Sequence, residues 1–115
     1  MEDRKNRLKT LLQLALKANK LAFGHDFVVR LIEKRKVALL LIANDIGKSS
    51  YQSIIKHVTD MNIDIIKFGT KDDYYQILGK NTAIIAVLDI NFRNGIRNLF
   101  SNENKEKSIQ NKMED

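Results

Sequence analysis

Apolar residues recur along the chain with two periods, and the switching between them predicts the order of elements. Residues 4–18 place Leu8, Leu11, Leu12, Ala15 and Leu16 on one helical stripe, with acidic residues ahead of its first turn. Lys20 to Phe23 reads as a short apolar connection ending at Gly24. Residues 25–35 return to helical spacing through Val28, Leu31 and Ile32, and end in Lys34-Arg35-Lys36. Val37 to Ala43 is an unbroken apolar run of strand length, the mark of a strand covered on both faces. The loop Asn44-Asp45-Ile46-Gly47-Lys48 follows. Ser49 or Ser50 is the expected N-cap of a helix running through Met61, with Ile54, Ile55 and Val58 facing its core side. Ile63 to Phe68 reads as a second strand closed by Gly69. Thr70 then caps a short helix, with Asp73 at the position a capping box uses and Gly79 as its stop. Ala83 to Leu88 is a third buried strand, and Asp89 or Asn91 opens a helix to about Phe100.

This alternation of helix and strand defines an α/β layout, with helices on both faces of a small, mostly parallel sheet. Residues 1–100 form the expected domain. The tail from Ser101 to Asp115 is polar and unpatterned, and is expected to be frayed helix or disorder.

A chain of 115 residues is one domain. That size excludes a solenoid array or two catalytic domains. No apolar run approaches the ~18 residues of a membrane-spanning helix. The N-terminal Met1-Glu2-Asp3-Arg4-Lys5 leads into an amphipathic stretch unlike a signal peptide, so a cytoplasmic protein is expected. The absence of cysteine excludes a disulfide framework, a thiolate nucleophile and thiolate metal sites. The net charge of +6 is unevenly spread. Residues 1–36 hold ten Lys/Arg against four Asp/Glu, whereas 37–100 hold seven against six and 101–115 three against four. The excess in the first third is the expected footprint for a polyanion, although surplus lysine that only aids solubility reads the same way.

Gly47-Lys48-Ser49 between strand and helix has the setting of a phosphate-binding loop, but the motif needs a glycine five positions before Gly47, where Ile42 stands. Nucleotide hydrolysis is therefore not expected. The helix start beside Lys48 could still meet a single phosphate. His25 and His57 have no carboxylates at ligand spacing, and His57 reads as a half-exposed structural residue, so no metal or other cofactor is expected. Asp72-Asp73 and Lys34-Arg35-Lys36 each complement a helix end. Tyr74, Tyr75 and Phe27 are not spaced as a stacking platform, and no nucleophile–base pair is visible, so an enzyme is not expected. What remains is Gly24 to Arg30, a glycine opening a helix within the basic third. Its free N–H groups suit an anion, Asp26 could accept from a base edge, Phe27 could stack or pack, and Arg30 could reach a phosphate or base. The plain alternative is a core Phe27 and a solvated Arg30.

Five segments in order resemble the kink-turn-binding ribosomal protein family (L-seven-Ae / L-thirty-e type), and most closely its small bacterial YlxQ-like members. Ala15-Leu16-Lys17-Ala18-Asn19-Lys20-Leu21 resembles that group's Ala-x-x-Ala-Gly-Lys-Leu, and Gly24 to Arg30 falls on the RNA-reading Gly-x-Asn-Glu-x-x-Lys segment. Leu39 to Asp45 resembles the strand ending Ala-Glu-Asp. Phe68-Gly69-Thr70-Lys71-Asp72-Asp73 resembles a Gly-[Ser/Thr]-[Lys/Arg]-x-Glu turn, and Val87 to Phe92 an Asp-x-Gly-Phe ending. The resemblance spans about Leu8 to Phe100. It implies a three-layer α/β/α sandwich with a small mixed sheet, and a monomer that binds structured RNA, including ribosomal RNA or the ribosome. The implied RNA edge is built from the start of the second helix, the Ala43–Lys48 loop and the Gly79–Thr82 loop. Its implied contacts are Gly24, His25, Asp26, Phe27, Arg30, Asn44, Asp45, Lys48, Lys80 and Asn81. In that family these elements grip a sharply bent internal loop and touch the guanines of sheared G·A pairs.

Several positions depart from the family pattern. Its Asn is Asp26 here, its Glu is Phe27, its Lys is Arg30, its helical Leu-Gly is Tyr74-Tyr75 and a lysine at the strand start is Ala38. Asp26 accepts hydrogen bonds but does not donate, and Phe27 removes an acceptor for guanine N–H groups. The bacterial members carry an acidic then an aliphatic residue at these two positions. A rival reading is a protein–protein module of the same fold with a degenerate RNA site, which would show a contiguous apolar patch near Phe27. A second rival is a small enzyme using Lys48.

Overall fold

Alternation along two central strands decides the architecture. The computed structural model describes residues 2–59 and 61–100, so the expectation for the 101–115 tail lies outside the described residues. Strands β2 (Leu39–Ile42) and β4 (Ile84–Val87) are buried at every position, and are flanked in the sheet by β1 (Leu21–Phe23) and β3 (Asp64–Lys67). Successive strand side chains point to opposite faces. Leu39, Leu41, Ile85 and Val87 therefore enter one core, and Leu40, Ile42, Ile84 and Ala86 the other. The first core is closed by α1 (Glu2–Lys17), α4 (Lys71–Leu78) and α5 (residues 90–100), through Leu8, Leu12, Tyr74, Ile77 and Ile96. The second is closed by α2 (His25–Glu33) and α3 (Lys48–Val58), through Val28, Ile32, Ile54 and Val58. The result is the expected three-layer α/β/α sandwich.

The sheet order is β1-β4-β2-β3. It is mixed, as the resemblance implied, but the expectation that it is mostly parallel is corrected. Only β2–β3 is a parallel pair, while β4 runs antiparallel to both β1 and β2. An apolar run covered on both faces reads the same in either direction, so the pattern does not set the sense of insertion. Here Gly79 stops α4 and the chain turns through residues 80–82 straight into β4, re-entering the sheet from the end at which β3 left it, so β4 is inserted in reverse. Lys20 to Phe23, expected as a connection, contributes an edge strand, with Leu21 opposite Val87 and Phe23 opposite Ile85. Three residues carry too little pattern to register as a strand.

Helix ends follow local chemistry. The α1 and α2 helices both finish in a left-handed residue, Asn19 at φ 58° and Arg35 at φ 59°. In each, the next amide reaches back five residues, Lys20 to Ala15 O at 2.9 Å and Lys36 to Leu31 O at 3.0 Å. Thr70 and Asp73 form the expected capping box, and Gly79 stops α4 at φ 69°. Asp89 opens α5, its Oδ1 accepting from the amides of Asn91 at 2.7 Å and Phe92 at 3.2 Å. The N-cap of α3 is Gly47 rather than Ser49 or Ser50, with no side-chain cap bond. That helix stops at Val58, short of Met61, because the Met61 amide turns back onto Val58 O.

Candidate nucleic-acid interface

Strands β1, β2 and β3 run in the same direction, so α2, α3 and α4, which follow them, all open at one end of the sheet. Each helix start presents amides without an intrahelical partner and the positive end of the helix dipole. The three starts are differently compensated. The α4 start is filled by its own capping box, by Asp72, and by Asp45, whose Oδ1 accepts from the Lys71 amide at 2.9 Å. The α2 start carries Asp26 but no side-chain cap bond, and the α3 start has neither a cap bond nor an acid in its first turn, only Lys48. Two glycine-led, uncapped helix starts thus face the same end of the sheet. Sequence reading singled out both, the second as a helix start beside Lys48 that could meet one phosphate, but it assigned the cap of that helix to Ser49 or Ser50 instead of Gly47.

At Gly24 the backbone takes φ 87° and ψ 138°, and a Cβ built there would meet nothing within 4 Å. Backbone conformation, not crowding, therefore demands glycine. His25 ties α2 to α3, its Nε2 lying 2.9 Å from the Ser53 hydroxyl and its Nδ1 3.2 Å from Asp26 Oδ1. The Asp26 carboxylate is otherwise open, with 98% of its side chain exposed. Phe27 is 47% exposed, so the plain alternative of a core phenylalanine is not what the fold does. The Arg30 guanidinium carbon lies 5.9 Å from the Phe27 ring centre. In the α4–β4 loop Lys80 and Asn81 are exposed, the Lys80 ammonium standing 5.8 Å from the Phe23 ring centre. The buried Thr82 hydroxyl bonds Ile84 O at 2.7 Å and anchors that loop to β4.

The fold brings together Gly24, His25, Asp26, Phe27, Arg30, Asn44, Asp45, Lys48, Lys80 and Asn81 at or near this end. Asn44 and Asp45 are held by the neighbouring turn: the Asn44 amide bonds Gly69 O at 2.8 Å and Asp45 accepts from the Lys71 amide, while the Tyr74 hydroxyl braces that turn through Phe68 O at 2.6 Å. Burial, with Asp73 and Asp45 nearby, pushes the Tyr74 phenol well above its usual range, so it stays a donor. The basic first third does not converge here, contrary to the single-footprint expectation. Arg4 and Lys5 reach this end but are engaged there, Arg4 against Phe68 and Phe100 and Lys5 with Asp73 at 3.4 Å, whereas Lys20, Lys34, Arg35 and Lys36 stand at the opposite end. His57 lies 3.8 Å from Glu33 as a half-exposed residue between α3 and α2. Among the described residues no group of three His, Cys, Asp or Glu side chains could hold a metal, and no helix is long and apolar enough to cross a membrane.

One end of this three-layer sandwich thus presents two uncapped helix starts, an open glycine and flanking cations, features that suit an anion. The chain belongs to the ribosomal protein L7Ae/L30e/S12e/Gadd45 family, which it matches over residues 6–94. That membership carries ribosomal-protein-like RNA binding as the general function class. A solved structure of a protein of unknown function from Bacillus halodurans C is similar in fold, with a TM-score of 0.76 at 23% identity, covering 82% of this chain and 96% of that one. No curated protein matches the chain.

Proposed function

We propose that this protein is a non-enzymatic, monomeric, cytoplasmic member of its family that binds bent internal-loop RNA of the kink-turn kind in a ribosome- or translation-associated role. The observation that carries this is the pair of uncapped glycine-led helix starts, Gly24 and Gly47, opening at one end of the sheet beside the Lys80–Asn81 loop. The α2 start lets an RNA backbone approach Gly24 closely, since no Cβ stands in the way and the amides there are free to meet phosphate. Arg30, in the last turn of the same helix with its guanidinium 5.9 Å from the Phe27 ring centre, supplies a forked donor for a phosphate or a guanine edge. Lys48 and Lys80 neutralise phosphate on either side.

The departures at Asp26 and Phe27 make this recognition of shape with few base edges. The rival protein-interaction reading needs a contiguous apolar patch around Phe27. The other exposed large hydrophobics among the described residues are Leu14, Tyr75 and Ile90, on α1, α4 and α5, so Phe27 stands alone beside Arg30. The deciding experiment is titration with kink-turn RNA, matched duplex and single strand over a salt series. Kink-turn RNA should bind tightest, with affinity falling steeply in salt at roughly 0.7–0.9 log units per log unit for each phosphate met. Equal and salt-insensitive binding to all three would end this reading.

A further inference from the structure

The far end of the sheet also gathers cations outside any ion pair among the described residues. Here α2 gives way to β2, α3 to β3 and β4 to α5, and the Leu88 amide bonds Lys20 O at 2.8 Å, which brings the end of α1 to the same place. Between these connections lies a cleft of about 450 Å³. Arg35, Lys36 and Arg93 form its walls with Asn62, and Ala38 and Leu88 are in its lining. None of the described side chains lining it is acidic. Among the described residues, Lys20, Lys34, Arg35 and Lys36 form no ion pair. The nearby carboxylates are already engaged: Glu33 faces His57, Asp64 pairs with Arg97 at 3.3 Å, and Asp89 caps α5. The Arg93 guanidinium is steadied by two bonds to Asn94 Oδ1, at 3.1 and 3.3 Å.

Compensation of the α2 dipole accounts for one cation in the last turn, and Arg30 is already there. It does not account for three consecutive cations past the helix end, the central one in the left-handed conformation that glycine would adopt without strain. We infer that this cleft is a second phosphate-binding surface, which takes the backbone of an RNA segment separate from the one held at Gly24. This rests on the reading that RNA is the partner. With the two ends roughly 20 Å apart along the strands, the protein would bridge two RNA segments rather than clamp one.

The test compares a minimal kink-turn hairpin with the same hairpin carrying a long structured arm. Each is titrated over a salt series against the parent, the pair variant Lys36→Gln/Arg93→Gln, and a control pair Lys9→Gln/Lys56→Gln that removes the same charge elsewhere. The cleft pair leaves the Arg35 turn intact, and thermal melting of each variant verifies the fold. On the long RNA the cleft pair should flatten the log–log salt slope by about 1.4–1.8, two phosphates at 0.7–0.9 each, while the control changes it far less. On the minimal hairpin all three proteins should bind alike. An equal change for cleft and control pairs would overturn the inference, reducing the cleft to net charge. So would an unchanged slope on the long RNA, or an equal loss on both RNAs. In all of these the proposed function survives if the parent still prefers the kink-turn; a parent that binds neither RNA removes both.

Discussion

Asp26→Asn isolates what the departure from the family pattern costs. The Asp26 carboxylate is in the first turn of α2 and 98% exposed, so its interaction with an arriving phosphate is screened by water. At about 6 Å and a dielectric near 80, removing that repulsion gains roughly 0.7 kcal/mol. The new amide adds a donor for a base edge, worth about 0.5–1.5 kcal/mol net. Together these predict a roughly 7- to 40-fold tighter complex, since each 1.4 kcal/mol is tenfold. Asp26→Ala removes the charge without supplying the donor, and should gain only the repulsion part, about threefold. Salt separates the two contributions. The repulsion part fades as the Debye length falls from about 10 Å at 0.1 M to about 3 Å at 1 M, whereas the hydrogen bond persists. Fluorescence anisotropy with a labelled kink-turn RNA would measure both variants across that range. If the alanine and asparagine variants are indistinguishable at every salt, no base edge is read at this position. If both match the parent at low salt, and Arg30→Ala does too, the α2 start does not face RNA.

Four further outcomes follow from the geometry. Gly24→Ala should cost about 1–3 kcal/mol, because φ is 87° there although a Cβ has room; in a domain this size that lowers Tm by roughly 4–8 °C per kcal/mol, and an unchanged Tm would refute the backbone argument. Thr70→Ala removes one arm of the α4 capping box and should cost about 1 kcal/mol in a urea melt, a loss that Thr70→Ser largely restores. Burial pushes the Asp73 carboxyl up, but the Thr70 amide and the Lys5 ammonium outweigh it and hold it below its ordinary value, so its contribution is present above that value and lost as pH falls through the lower, folded-state one; stability should decline below about pH 4, and less so in Asp73→Asn. Calorimetry should register no tight ATP or GTP binding, and Lys48→Ala should weaken RNA binding alone; micromolar nucleotide affinity lost with Lys48 would reverse that conclusion.

Much of the fold was legible because burial writes itself into spacing. The runs at Val37–Ala43 and Ala83–Leu88 are apolar throughout because both faces are covered, and β2 and β4 are indeed the central pair. The Thr70–Asp73 capping box is a strictly local device and was readable from four residues. Strand direction was not readable, since an apolar run covered on both faces reads the same whichever way it is inserted, and the end at which the chain re-enters the sheet after α4 is a relation in space. For the same reason the charge excess of residues 1–36 was visible but its division between two ends was not: α2 carries the chain from Gly24 at one end of the sheet to Arg35 at the other. Of the candidate site, the Gly24 start was legible as a glycine within a basic segment. The Gly47-Lys48 start was legible too, but Ser49 and Ser50 hid the fact that it is uncapped.

Asp45 shows how a residue in a candidate site can shape it without meeting the ligand. It sits where the family strand ends Ala-Glu-Asp, and its Oδ1 is already bonded to the Lys71 amide at 2.9 Å. Beside it the Asn44 amide takes Gly69 O, and the Tyr74 hydroxyl takes Phe68 O beneath the same turn. The first two bonds fasten the β2–α3 loop to the β3–α4 turn and the third braces that turn against α4, so the Gly47 start is tied to α4. The acidic partner serves two purposes there. It satisfies an amide at the α4 start, and by engaging that positive helix end it leaves the α2 and α3 starts as the uncapped ones facing the same side. Under the proposed function, recognition at this end rests on which helix start is capped and which is left open, a choice made by Thr70, Asp73 and Asp45 as much as by the side chains that would touch RNA.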